Sequence, residues 1–317
     1  MEYAVTDVHV DTYRGRFAVR AVGNPGGQIV IAVHGFADHP ASFDQLGRHL
    51  AGHGYVTVAP YLRGHVPSPM TGGMSIQDHA ADVRALAREL SPDQAVRLVG
   101  HGEGAWIVHQ ALVQDRVGVT PADQELAGDD ELQITPIDGT PESPRIGPTV
   151  LLGSPEPPVV RGLLLRHPGL AWSMRHLALR RTGRWGQEQI RRNEFAALPH
   201  LWRRWSPGNH MPAHHAQRVR DMYTHSMPHP LNLLDLPSAA ATTEHTGQSV
   251  LCIMGKNDAA IPPHLLPGRH ARATTSQLIV IGNAGHFPHL EAPDATFAAV
   301  TAWFADRSLA EVSGQSV

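Results

Sequence analysis

The sequence predicts an α/β protein, a doubly wound and mostly parallel sheet with an inserted helical lid. Three observations carry that reading. Short apolar runs at 28–33, 55–59, 96–99, 149–152, 249–254 and 277–281 have the length of strands buried on both faces of a sheet. Segments with helical spacing fall between most of them, the alternation that winds a parallel sheet. Residues 155–248 break this rhythm with a helical pattern, no intervening strands and a cluster of arginine, tryptophan and proline.

Taken in order, residues 3–11 and 15–22 alternate like strands around a turn at Tyr13-Arg14-Gly15. Gly23-Asn24-Pro25-Gly26-Gly27 breaks the chain before the strand Gln28–Val33, which ends in His34-Gly35-Phe36-Ala37-Asp38. A helix fits Ala41–His53, with Phe43, Leu46 and Leu50 on one face. The strand Tyr55–Ala59 ends in Pro60-Tyr61-Leu62-Arg63-Gly64-His65, and a helix fits Ser75–Leu90. The run Val96–Val99 reads as a strand that stops at Gly100, with a helix from about Gly102 to Gln114. Residues 118–148, rich in Pro, Gly, Asp, Glu and Thr, read as a mobile surface excursion. Thr149–Leu152 resumes the sheet, and Ser249–Met254 and Gln277–Ile281 complete it. Helices fit Pro263–Ala273 and Ala292–Ala305. The domain organisation expected is therefore one core, 1–154 with 249–317, carrying a lid at 155–248.

Composition excludes several classes. The chain has 317 residues, 42% apolar and 17% charged, enough to bury a sizeable core. A net charge of −3 without a basic stripe argues against nucleic acid as a partner. The chain opens without a charged-then-apolar leader, and no apolar run approaches ~18 residues, so a soluble cytoplasmic protein with no membrane partner is expected. Of 26 basic residues only Lys256 is lysine, a bias associated with GC-rich bacterial genomes. Cys252, the single cysteine, lies in an apolar strand and reads as core. The 22 histidines include His210, His214, His215, His225 and His229 in one region, but without the spacing of a metal motif. No metal and no cofactor are expected, and a homodimer is left open.

The stretch with most chemical meaning is Gly100-His101-Gly102-Glu103-Gly104. A strand-to-helix turn that presents a nucleophile reads G-x-S-x-G, and here the flanking glycines are present while the centre is glycine. Together with His34-Gly35-Phe36, Gly255-x-x-Asp258 and Gly285-His286-Phe287-Pro288-His289-Leu290-Glu291, the chain resembles α/β-hydrolase-fold proteins of the esterase, epoxide-hydrolase and lactonase type. The four motifs fall in that family's order and span about two-thirds of the chain.

The resemblance implies roles residue by residue. Asp258 is implied as the triad acid and His286 as the base, the carboxylate fixing the imidazole tautomer and stabilising its cation. The backbone N–H groups of Phe36 and Glu103 are implied as the oxyanion hole, a role that uses no side chain. Gly102 occupies the nucleophile position and supplies none, which excludes acyl-enzyme or alkyl-enzyme chemistry there. Glycine tolerates the positive φ of such a turn, so the turn itself is expected to survive. Glu103 suits a helix N-terminus better than a catalytic role, and His101 suits packing against the sheet. His34, Tyr61, Arg63 and His101 are candidates for substrate contact; Arg63 better suits tying loops together. Trp172, Trp185, Trp202 and Trp205 either pack the lid on the core or line a pocket for a large aromatic substrate.

Three functions stay open. The first is a cofactor-free enzyme in which His286, oriented by Asp258, performs acid–base chemistry: elimination, cyclisation or C–C bond formation on a natural-product intermediate. Hydrolysis by water activated at His286 is its variant. The second is an ester, lactone or thioester hydrolase whose serine at 102 has been replaced by glycine. The third is a non-catalytic protein that binds a small molecule. In each, the partner is an apolar or aromatic small molecule.

Overall fold

The computed structural model describes residues 3–117, 145–174, 188, 192, 198–226, 250–266 and 277–306. Eight strands form one sheet: β1 (Val5–Thr12), β2 (Gly15–Val22), β3 (Gln28–Val33), β4 (Tyr55–Pro60), β5 (Val96–His101), β6 (Ile146–Leu152), β7 (Val250–Gly255) and β8 (Gln277–Ile281). Their spatial order is β1-β2-β4-β3-β5-β6-β7-β8. The pairs β1–β2 and β2–β4 are antiparallel and all others parallel. Among the described residues the helices are α1 (Asp44–Ala51), α2 (Ile76–Leu90), α3 (Glu103–Val117), α4 (Pro157–Arg166), α5 (Pro168–Ser173), α6 (Leu198–Trp205), α7 (Ala213–Thr224), α8 (Pro288–Glu291) and α9 (Pro293–Phe304).

The central strands are apolar throughout because helices cover both faces. Along β3, Ile31 and Val33 face the layer of α2 and α3. Val30 and Ala32 face the layer of α1 and α9, against Leu46, Leu50, Phe297 and Val300. Each such burial stabilises the fold by about 1.5–3 kcal/mol for the larger side chains. α2 starts at a capping box: the Ser75 hydroxyl oxygen accepts from the Asp78 N–H while Asp78 accepts from the Ser75 N–H. A third apolar layer joins Trp202, Trp205, Val219 and Tyr223 of α6 and α7 to Phe36, Ala260 and Phe287 at the carboxyl ends of the strands.

Local differences from the sequence reading have clear causes. β5 does not stop at Gly100; His101 also pairs, with Leu152 of β6. β6 begins at Ile146 because the Asp115 carboxylate accepts from the N–H groups of Arg145 and Ile146 at 3.3 and 3.1 Å. The helix expected from Ala41 opens as a 3-10 turn, Pro40–Phe43, capped by the His39 side chain. After Pro263 the described residues form a 3-10 turn, Pro263–Leu265, rather than the start of an α-helix. Residues 118–144 of the expected excursion, Trp185 and the side chain of Trp172 lie outside the described residues. Among the described residues, no helix is long and apolar enough to cross a membrane.

Candidate active site

The site forms where β3, β5, β7 and β8 end. Gly102 sits in the turn from β5 into α3 with φ +57°, a left-handed conformation that glycine adopts without a Cβ penalty. A Cβ at Gly100 or Gly104 would strike neighbouring backbone. A Cβ at Gly102 would meet only Nε2 of His286, at 3.7 Å. The turn is thus packed tightly at its flanks and open at its centre.

His286 stands in the loop after β8. Its Nδ1–H donates to Oδ2 of Asp258 at 3.0 Å. The other Asp258 oxygen accepts from the N–H groups of Ala260 and Ile261 at 2.8 and 2.9 Å, which fixes the carboxylate. With the proton on Nδ1, the lone pair on Nε2 points toward residue 102. Burial alone would lower the His286 pKa, but the Asp258 charge and hydrogen bond, with Glu291 and Asp38 beyond, leave it raised.

The backbone under this histidine is held by one carboxylate. Glu291 Oε1 accepts from the Ser206 hydroxyl at 2.6 Å and the Phe287 N–H at 3.0 Å. Its Oε2 accepts from the Gly285 N–H at 2.6 Å and from the Asn209 amide. Ser206 Oγ in turn accepts from the His286 N–H at 2.8 Å. The end of α6 is therefore tied to the loop that carries the base.

Phe36 and Glu103 both line a cavity of about 30 Å³ beside Gly102 and His286. Gly35 lies flush on the turn: a Cβ there would collide with the His101 carbonyl oxygen and stand 2.8 Å from the Glu103 nitrogen. The next residues pass through Ala37, whose φ of 56° is a strained value for a residue with a Cβ. Trp106, Met174, Trp205, Ala260 and Ile261 supply the apolar wall, and Ser154 a hydroxyl that accepts from Trp106 Nε1 at 2.7 Å. Trp205 meets the His286 ring edge-on at 5.3 Å.

The other sequence candidates lie elsewhere. Trp202 stacks on Phe287 at 4.0 Å and is not part of the cavity wall. His34 is buried with Nδ1 at 3.1 Å from the Gly35 carbonyl. Tyr61 packs edge-on to His39. Arg63 grips Asp82 of α2 through Nε and Nη2 at 2.8 and 2.7 Å and also bonds the carbonyls of Arg14 and Thr71, tying the loop after β4 to the β1–β2 turn and to α2. None of His34, Tyr61, Arg63 or His101 borders the cavity.

Beneath the cavity is a second acid–histidine group that the sequence reading did not single out. Asp38 Oδ2 is 2.7 Å from His101 Nδ1, and His101 Nε2 is 3.0 Å from the carbonyl oxygen of His286. His215 Nε2 lies 3.6 Å from Asp38 Oδ1 and His289 Nε2 lies 3.8 Å from Oδ2. Burial would raise the Asp38 pKa, yet the surrounding histidines hold it far below the usual carboxylate range. Among the described residues, Asp38, His101 and His289 are the group whose donors approach closely enough for a metal ion. Both His101 nitrogens are already spent on Asp38 and His286, which leaves fewer than the four ligands of a closed site. No spacing in the sequence announces this group, because its members come from four separate segments.

Residues 30–300 match the model of the alpha/beta hydrolase family. Epoxide hydrolase A of Mycobacterium tuberculosis is 36% identical over 124 residues, 38% of this chain and 38% of that protein. In structure, epoxide hydrolase A from Mycobacterium thermoresistibile superposes with a TM-score of 0.71 at 16% identity, covering 95% of this chain and 98% of that one. A thermophilic esterase from Thermogutta terrifontis gives 0.67 at 18% identity, covering 95% and 98%.

Proposed function

Because this chain belongs to the alpha/beta hydrolase family, we propose that it is an enzyme of that fold that works without a covalent nucleophile. His286 acts as general base and then acid, and Asp258 holds its tautomer and offsets the charge it acquires. The N–H groups of Phe36 and Glu103 stabilise the negative oxygen that develops. The substrate is an uncharged apolar or aromatic small molecule, covered by the helical segment between β6 and β7 acting as a lid. The reaction is cofactor-free elimination, cyclisation or C–C bond formation on a natural-product intermediate.

The observation that supports this reading is the open place at Gly102, with Nε2 of His286 as its one described neighbour. An acidic C–H or O–H group of a substrate fits where a serine hydroxyl would otherwise stand. The cavity also exceeds the ~10–15 Å³ that a water molecule needs. Water-mediated hydrolysis is therefore the variant chemistry.

5-Nitrobenzisoxazole tests the proposal, since its ring opening needs a base and no nucleophile. The base takes the carbon-bound proton, the N–O bond breaks, and the electron pair leaves as a phenolate beside the oxyanion donors. The unmodified chain is expected to accelerate this elimination, and His286→Ala to lower the rate by roughly 10²-fold or more. Equal rates in the two proteins would overturn the acid–base reading and favour a binding protein.

A second reading, a serine hydrolase lacking its hydroxyl, is favoured by the left-handed backbone at residue 102. It shares every residue of the first and differs only in what position 102 once held.

A further inference from the structure

We propose that His101 is a buried imidazolium that, paired with Asp38, positions His286 and restrains its basicity. The argument begins with hydrogen-bond inventory. A carbonyl oxygen only accepts, so the 3.0 Å contact between His101 Nε2 and the His286 carbonyl requires a proton on Nε2. The 2.7 Å contact between Nδ1 and Asp38 Oδ2 requires one more proton, on the ring or on the carboxyl group. The surroundings of Asp38 place it on the ring. Asp38 Oδ1 accepts from the His39 N–H at 2.7 Å, and His215 and His289 direct ring nitrogens at the carboxylate from 3.6 and 3.8 Å. The His39 N–H bond favours an anion, since a protonated carboxyl group accepts more weakly. Both side chains are shut off from water.

The placement gives the pair its effect. His101 immediately precedes Gly102, Asp38 belongs to the loop after β3, and the His286 carbonyl belongs to the loop after β8. One charge-assisted bridge thus fixes the base relative to the turn it faces. The His101 and His286 rings lie 5.3 Å apart. A cation at that distance opposes the Asp258 carboxylate, which acts to raise the basicity of His286. The groups that face His101 are Asp38 and His34 from the loop after β3, His215 from α7, His286 from the loop after β8 and His289 from α8. His101 is a positioning residue under this proposal, which holds whether or not the acid–base reading of function does.

The test is NMR of the full chain labelled with ¹⁵N-histidine, with His101 assigned by the loss of its signals in His101→Gln. At pH 7 both His101 nitrogens should show protonated shifts. In His101→Gln the titration midpoint of His286 should rise by about one pH unit or more, because the cation has gone and Asp38 remains. A merely structural role would not move that midpoint upward. A single protonated nitrogen on His101, or an unchanged His286 midpoint in folded His101→Gln, would overturn the proposal. Neutron diffraction on the unmodified protein reads the same two protons if the variant does not fold, and one proton on that ring would refute it equally.

Discussion

Nε2 of His286 lies 3.7 Å from where a Cβ on Gly102 would stand. One further bond would bring a serine hydroxyl within the ~2.6–3.2 Å of a nucleophile–base pair. The turn, the base and the cavity wall are arranged around a group the residue does not have.

Asp258→Asn tests the coupling of acid and base. The His286 pKa is raised, so the basic form needed for proton abstraction accumulates only above that raised value. The rate of 5-nitrobenzisoxazole opening should climb with pH through a midpoint above the ~6.5 of a free imidazole and level off only beyond it. In Asp258→Asn the midpoint should move down, since the raising carboxylate is gone. The plateau should fall by roughly 10²–10⁴-fold, since nothing then holds the productive tautomer. A midpoint that moves up would contradict the assignment.

Acid should unfold this protein readily. Burial is the main cause that lowers His39 to about 3 and His79 and His215 to about 4. It also lowers His34, His109 and His289. In the unfolded chain each takes a proton near pH 6.5, while the folded chain refuses it. Their stabilisation is present above pH 6.5 and is lost as pH falls toward 4. The raised His286 works in the opposite sense, losing its contribution as pH rises above 6.5. The depressed group dominates, so urea unfolding should show several kcal/mol less stability at pH 5 than at pH 7.5. His79→Leu, which removes one of these groups, should lessen the dependence.

Much of the architecture was legible because burial on both faces leaves continuous apolar runs, as in Val30–Val33 and Val250–Met254. The segments expected to supply the base, the acid and the turn are those that converge. What the sequence did not reveal lies in three-dimensional adjacency. Asp38 was visible only as a member of a loop, and nothing in its spacing to His101, His215 or His289 predicts that they surround it. The carboxylate of Glu291 was visible in a motif, while its grip on Ser206 and Asn209 depends on how α6 docks. Arg63 was ambiguous between two roles because a guanidinium reads alike in both until Asp82 is seen against it.

Two glycine substitutions should separate close packing from open space. Gly35→Ala forces a Cβ into the backbone of His101 and Glu103 and should cost more than about 3 kcal/mol or abolish folding. Gly102→Ala meets nothing nearer than 3.7 Å and should cost only about 1–2 kcal/mol, from its φ of +57°. Thermal unfolding of both proteins measures the difference, and equal losses would contradict the geometry.

The most direct measurement is hydrolysis of 4-nitrophenyl butyrate by Gly102→Ser beside the unmodified chain and Gly102→Ser/His286→Ala. The account predicts that folded Gly102→Ser hydrolyses this ester within a few-fold of the unmodified chain, because the pocket serves proton transfer on another substrate class and not acylation. A gain of roughly 10²-fold or more in Gly102→Ser, lost in the double variant, would contradict it and favour the serine hydrolase whose hydroxyl is missing.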